Sequence, residues 1–208
     1  MSTLPEVFKR NRQWAGTMTF RDPNYFSNMA EEQDPPFMYI ECSDSKIPAN
    51  VITGFEPGEL FVHRNIANQV IPNDINCLSA IQYAVEVLGI QHIIICGHYG
   101  CSGVEAAMGG KSAGLVNYWT RHIKDIYTEN RLKFVNLADL QEKIDLLCEL
   151  NVRQQVRNVG YTSTVQQAWT KGKSLTIHGW IYSVQDGLLK NLGLCTSNKK
   201  QLETQKYC

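Results

Sequence analysis

The sequence predicts an α/β fold: a mainly parallel central β-sheet flanked by helices, preceded by an N-terminal helical arm. Three observations predict it. Short apolar runs alternate with helix-like stretches from Phe37 onward, the order that builds a parallel sheet with helices on its faces. The run "HIIICG" (His92–Gly97) is apolar at successive positions, as a central parallel strand buried on both faces must be. The first 36 residues are polar and helix-like, with turn signals at Asp22-Pro23 and Asp34-Pro35-Pro36.

The elements follow in chain order. "FMYIECS" (Phe37–Ser43) is short and apolar and predicts a buried strand. "GELFVHRN" (Gly58–Asn65) predicts a second, after the turn signal Glu56-Pro57-Gly58. "DINCLSAIQYAVEVLG" spaces Ile75, Leu78, Ile81, Tyr83, Val85 and Leu88 roughly as a helix does, with Asp74 as N-cap and Gly89 as C-cap. "HIIICG" is the third strand. Helices are expected over 112–127 and 137–159, and "KSLTIHGWIYSV" (Lys173–Val184) reads as the last strand. No repeat or linker interrupts the chain. It is read as a single domain over 1–208, with the arm at 1–36, the α/β core at 37–185 and a C-terminal segment at 186–208.

Composition narrows the function. The chain of 208 residues is 43% hydrophobic, enough for a core without disulfide or metal staples. Twenty basic and twenty acidic residues cancel, and no long basic run suggests a nucleic-acid partner. No apolar stretch reaches the roughly 20 residues that span a bilayer, and the N-terminus lacks the apolar segment of a signal peptide. Seven cysteines in irregular spacing fit reduced thiols in a cytoplasm better than a disulfide framework. In the arm, Leu4, Val7, Phe8, Trp14 and Phe20 are apolar with little nearby chain to cover them. Burial on a second copy would remove them from water, so an oligomer is expected.

The stretch "IIICGHYGCSG" raises the chemical question. An apolar strand ends and His98 and Cys101 follow directly. In open parallel sheets ligands bind beyond the carboxyl ends of the strands. Cys42 ends the first strand, so neighbouring strand ends can join these residues. Two thiolates and an imidazole select zinc among common ions, and three protein ligands leave one tetrahedral position open, as in catalytic sites. Two other readings stand beside this one: a strand-end turn without chemistry, and a Cys101 nucleophile activated by His98. The second leaves Cys42 and Asp44 without a role. His63 and His178 lie in strands and suit structural hydrogen bonds; His92 and His122 suit surfaces or helix ends. Cys77, Cys96 and Cys148 sit in apolar periodic contexts and suit the core.

The motifs "CSDSK", "GELFVHRNIAN", "IIICGHYGCSGV" and "HGW" occur in the order and spacing of the β-class carbonic anhydrases. From about Asp22 to about Leu194 the sequence resembles that family, and most of all its bacterial enzymes. The resemblance implies one zinc ion per chain, bound by Cys42, His98 and Cys101. It implies reversible hydration of carbon dioxide to bicarbonate and a proton by zinc-bound hydroxide. Asp44 matches the family's aspartate, which either takes the fourth zinc position or turns away and accepts a hydrogen bond from zinc-bound water. Gln33, Phe61 and Tyr83 match substrate-pocket positions, the last two commonly contributed across a dimer interface. The family fold implies a homodimer or homotetramer whose N-terminal helices reach over the partner, and a small-molecule substrate; composition already speaks against a membrane or nucleic-acid partner.

Two positions depart from the family pattern. Lys46 stands where an arginine usually holds the aspartate away from zinc, and a mobile ammonium replaces a planar two-pronged donor. Some bacterial members carry a regulatory bicarbonate pocket built from tryptophan, arginine and tyrosine. The counterparts here are Tyr39, Arg64 and Tyr182, so the tryptophan is missing, and Glu41 stands where glycine is usual. Related readings are hydrolysis of a similar small molecule such as carbon disulfide, or a zinc-binding protein without activity, closed by Asp44.

Overall fold

The computed structural model describes residues 4–31, 34–109 and 114–204. Two units divide the chain, 1–34 and 35–208. In the first, helix α1 (Leu4–Arg21) and the short α2 (Tyr25–Ala30) form a hairpin around aromatic contacts. Trp14 packs edge-on against Tyr25 and Phe26, with centroids 6.4 and 5.7 Å away. No residue of α1 is buried, and Phe20 is 90% exposed.

The second unit begins with β1 (Phe37–Cys42), α3 (Ala49–Thr53), β2 (Leu60–Asn65), α4 (Ile75–Gln82) and β3 (His92–His98). It continues with α5 (Ser102–Ala107), α6 (Leu115–Trp119), α7 (Arg121–Glu129), α8 (Leu140–Gly160) and α9 (Ser163–Thr170). It ends with β4 (Thr176–Ser183), β5 (Leu188–Thr196) and α10 (Lys199–Thr204). The sheet order is β2-β1-β3-β4-β5. The first four strands run parallel and β5 runs antiparallel to β4. The expected mainly parallel sheet is present.

Side chains alternate across it. Met38, Ile40, Ile93, Ile95 and Ile177 face a core shared with Ile81 of α4 and Val152 and Val156 of α8. Tyr39, Ile94 and Cys96 face the other way and meet Ala49 of α3. The connection from β1 to β2 thus passes one face and that from β2 to β3 the other. The strand order reverses between β1 and β3, which opens a crevice at their carboxyl ends. Cys42 closes β1 and His98 closes β3.

Local signals explain the helix ends. Asp74 caps α4 by accepting from Asn76 N–H at 3.1 Å, and Gly89 adopts φ 67°, the left-handed stop expected there. The stretch expected to be one helix over 112–127 breaks in two at Thr120, whose hydroxyl donates to Val116 O at 2.9 Å. Such a side chain competes with the helical ladder. The strand ending at Ser183 is also not the last. β5 follows, and its sequence "LLKNLGLCT" hides it, because an edge strand mixes exposed polar residues with only two buried ones. Five cysteines are free thiols and buried. Cys195 is disulfide-bonded, one bridge in place of a wholly reduced set. Among the described residues no helix is long and apolar enough to cross a membrane.

Candidate metal centre

The turn after β3 is built by α8. Gly100 has φ 64°, a conformation that favours glycine and swings Cys101 back toward the strand end. Asp145 accepts from Gly100 N–H at 3.1 Å, and Glu149 accepts from the Tyr99 hydroxyl at 2.6 Å. "HYGC" is therefore a pinned turn that places two side chains at the crevice.

The ligand atoms of Cys42, His98 and Cys101 all lie within 4.8 Å of one another, and all three residues are buried. The two sulfurs are 3.9 Å apart, far beyond a disulfide bond. Two thiolates on one tetrahedral zinc, each about 2.3 Å from it, stand about 3.8 Å apart. His98 Nδ1 donates to Tyr99 O at 3.1 Å, which leaves Nε2 carrying the lone pair. That Nε2 is buried and has no hydrogen-bond partner. A buried ring nitrogen without a partner, beside two sulfurs, is what a metal would satisfy.

Backbone donors favour the thiolate form. Ala67 N–H points at Cys42 Sγ from 3.3 Å, and Asp44 N–H donates to the same sulfur. Val104 N–H donates to Cys101 Sγ. The two sulfurs contact each other, so the two thiols titrate as a pair, the Cys42 thiol pushed down and the Cys101 thiol pushed up chiefly by that contact. Ala67 is held at φ 64°, unusual for a residue with a side chain, and Asn151 of α8 donates to its carbonyl at 2.9 Å. Ala67 and Asn151 thus belong to the site; Ala67 lies within the motif "GELFVHRNIAN", yet its left-handed backbone is invisible in composition, and no sequence signal marks Asn151.

Asp44 turns its carboxylate to Lys46. The Lys46 N–H donates to Oδ1 at 2.9 Å and its ammonium stands 3.2 Å from Oδ2. Burial alone would raise the Asp44 pKa, but the Lys46 N–H, the Lys46 ammonium and nearby His98 outweigh it and hold the carboxyl below its usual value. Arg64 reaches the same segment. Its Nε and Nη2 donate to Cys42 O at 3.1 and 3.0 Å, and Nη2 donates to Asp44 O at 2.8 Å. Glu41, 1% exposed, stands 3.0 Å from Arg64 Nε. Burial pushes the Glu41 carboxyl up to about 7 despite that guanidinium.

The other expected residues fall in three places. Phe61 and Tyr83 stack on each other with centroids 5.8 Å apart. Phe61 lies four residues before Asn65, the β2 partner of Cys42, about 13 Å back along the strand at 3.3 Å per residue. Within one chain they are therefore away from the three ligands. Gln33 lies outside the described residues. Tyr39 is fully buried and its hydroxyl has no hydrogen-bond partner, while Tyr182 is half-buried. The Glu41 carboxyl stands beside Arg64, the cation of that set.

A second group, His63, Asp74 and Cys77, also brings its ligand atoms within 4.8 Å. Asp74 is the α4 cap, and Cys77 is fully buried with its thiol pushed up to about 12, chiefly by burial. That is a cap packed on the core, unlike the thiolate-favouring first group.

The carbonic anhydrase family model matches residues 37–189. The chain belongs to the β-carbonic anhydrase family. A carbonic anhydrase of Emericella nidulans is 42% identical over 192 residues, covering 92% of this chain and 84% of its own. Among solved structures, the Coccomyxa β-carbonic anhydrase in complex with acetazolamide superposes with a TM-score of 0.92 at 34% identity, over 98% of this chain and 92% of its own. A tetrameric β-carbonic anhydrase of Sordaria macrospora has a TM-score of 0.88 at 33% identity, over 92% of this chain and 97% of its own. This chain is thus an enzyme of the carbonic anhydrase kind.

Proposed function

We propose that this β-carbonic anhydrase binds one zinc ion through Cys42, His98 and Cys101 and interconverts carbon dioxide and bicarbonate there. The observation that carries the reading is the 3.9 Å sulfur pair beside the partnerless, buried Nε2 of His98. Bound at this place, zinc supplies Lewis acidity that makes a nucleophile of water near neutral pH. The protein's own groups do the rest. Cys42, His98 and Cys101 would hold the ion and leave room for one further small ligand such as water. The two thiolates give the ion more charge than imidazoles would, which favours a higher working pH. Asp44 keeps lone pairs beyond its bonds to Lys46 and can accept the hydrogen bond that orients that water. Carbon dioxide is neutral and needs only an apolar place; the Phe61–Tyr83 pair supplies one to a neighbouring subunit.

This assigns a homo-oligomer as the working form. The exposed Leu4, Val7, Phe8 and Phe20 of α1 support it, as does the tetrameric Sordaria relative. Stopped-flow hydration of carbon dioxide across pH, with zinc measured in the same sample, tests the proposal. Activity proportional to zinc is expected. Stoichiometric zinc without hydration would point instead to a closed, non-catalytic site, or to a substrate such as carbon disulfide.

A further inference from the structure

The segment from Cys42 to Ala49 carries one metal ligand, Asp44 and Lys46, and one ion pair, between the buried Glu41 and an Arg64 side chain that is 35% exposed, ties it down at three points. Arg64 takes Cys42 O at 3.1 and 3.0 Å and Asp44 O at 2.8 Å. Glu41 closes the ring from beneath: its Oε1 stands 3.0 Å from Arg64 Nε and accepts from Ala49 N–H at 3.2 Å. The start, middle and end of the loop are thus fastened to one carboxylate–guanidinium pair. Glu41 and Arg64 face each other across β1 and β2 in register, so the sheet itself sets their separation.

We infer that the Glu41–Arg64 pair positions Asp44, holding its main chain so that the carboxylate points at Lys46 rather than at the metal. The inference rests on the proposed zinc site. Lys46 is 58% exposed and grips only the side chain of Asp44, and exposed ion pairs hold weakly. The hold on the backbone comes from Arg64, which donates to two carbonyls and is oriented by a carboxylate with 1% exposure. Charge-assisted hydrogen bonds of this kind are about twice as strong as neutral ones. Without Glu41, Arg64 loses its orienting partner and Ala49 N–H its acceptor. The loop then relaxes, and Asp44 is free to enter the fourth metal position and exclude water.

The test compares Glu41→Ala and Glu41→Gln with the natural protein, each loaded with zinc or with cobalt. Glu41→Gln keeps an acceptor for Ala49 N–H and Arg64 Nε. Zinc per chain, the pH profile of hydration with KM and kcat separated, and the cobalt absorption spectrum are measured. For Glu41→Ala we expect full metal content and kcat reduced about tenfold at neutral pH, the size of one lost charged hydrogen bond. The rate should recover at higher pH, and the cobalt spectrum should show a carboxylate replacing water at neutral pH. Glu41→Gln should lie between the two. A Glu41→Ala protein with the natural profile and natural cobalt spectrum would overturn the inference. So would loss of metal or of cooperative unfolding in both variants, which would make the pair a fold element only. If the natural protein holds zinc but hydrates no carbon dioxide, the proposed function fails, and the cobalt spectra still decide the positioning role.

Discussion

Lys46 holds both carboxylate oxygens of Asp44, one through its backbone N–H at 2.9 Å and the other through its ammonium at 3.2 Å. The backbone bond survives any substitution at position 46. Lys46→Ala therefore removes only the exposed half of the grip, worth up to about 1 kcal/mol, or about fivefold. Hydration near neutral pH should fall by about that factor and recover toward high pH, while Lys46→Arg should equal or modestly exceed the natural rate, its planar fork matching a carboxylate better. Rates across about pH 6.5 to 9 check this. A Lys46→Ala enzyme with unaltered rates throughout would remove any gating role for this side chain.

Cys42→Ser and His98→Ala should each strip zinc and abolish hydration. Each removes one of only three protein ligands, and the remaining two hold the ion poorly. Elemental analysis after dialysis is the measurement. Full zinc in both variants would disprove the ligand assignment.

Gly103→Ala should weaken metal binding without touching a ligand. Its new Cβ would lie 2.8 Å from Ile66 Cγ2 and 3.2 Å from Ala67 Cβ. Ala67 carries the N–H that donates to Cys42 Sγ. Loss of such a supporting bond costs about 10- to 100-fold in affinity. Competition with a chelator reads this directly, and an unchanged affinity would show that Ala67 does not support the thiolate.

His92 and His178 meet across β3 and β4, Nδ1 to Nε2 at 3.2 Å. Burial first, then the neighbouring His92, lowers the His178 pKa below its usual 6.5. A lowered base binds fewer protons folded than unfolded, so this contribution to stability is intact above about pH 6.5 and is lost as pH falls through the folded value. The urea midpoint should drop between about pH 7 and 5.5, and less so in His178→Gln. Equal slopes in the two proteins would count against it.

The arm should be needed for assembly. Phe8 and Phe20 are 65% and 90% exposed in the single chain. Phe8→Glu with Phe20→Glu should lower the mass seen by light scattering and reduce activity, because in the proposed oligomer each site takes its apolar wall from a neighbour. An unchanged mass would place the interface elsewhere.

The sequence by itself determined the α/β class, the first three strands, the caps at Asp74 and Gly89, and the motif residues Cys42, His98 and Cys101. These are legible because apolar runs, capping side chains and soft ligands act through residue type, which spacing displays. Only the tertiary structure decided how they meet. The reversal of strand order between β1 and β3 puts Cys42 beside His98 and Cys101, 56 and 59 positions away. The Phe61–Tyr83 pair lies back along β2, which spacing does not reveal. The left-handed Ala67, held by Asn151 from α8, aims its N–H at a sulfur through backbone geometry that no side chain announces. Glu41 departs from the glycine that the family pattern places there. In the fold it is the buried partner of Arg64, because parallel register places the two side by side on adjacent strands. β5 stayed hidden for the same reason: an edge strand owes its place to pairing with β4, and pairing is a long-range property that local composition does not carry.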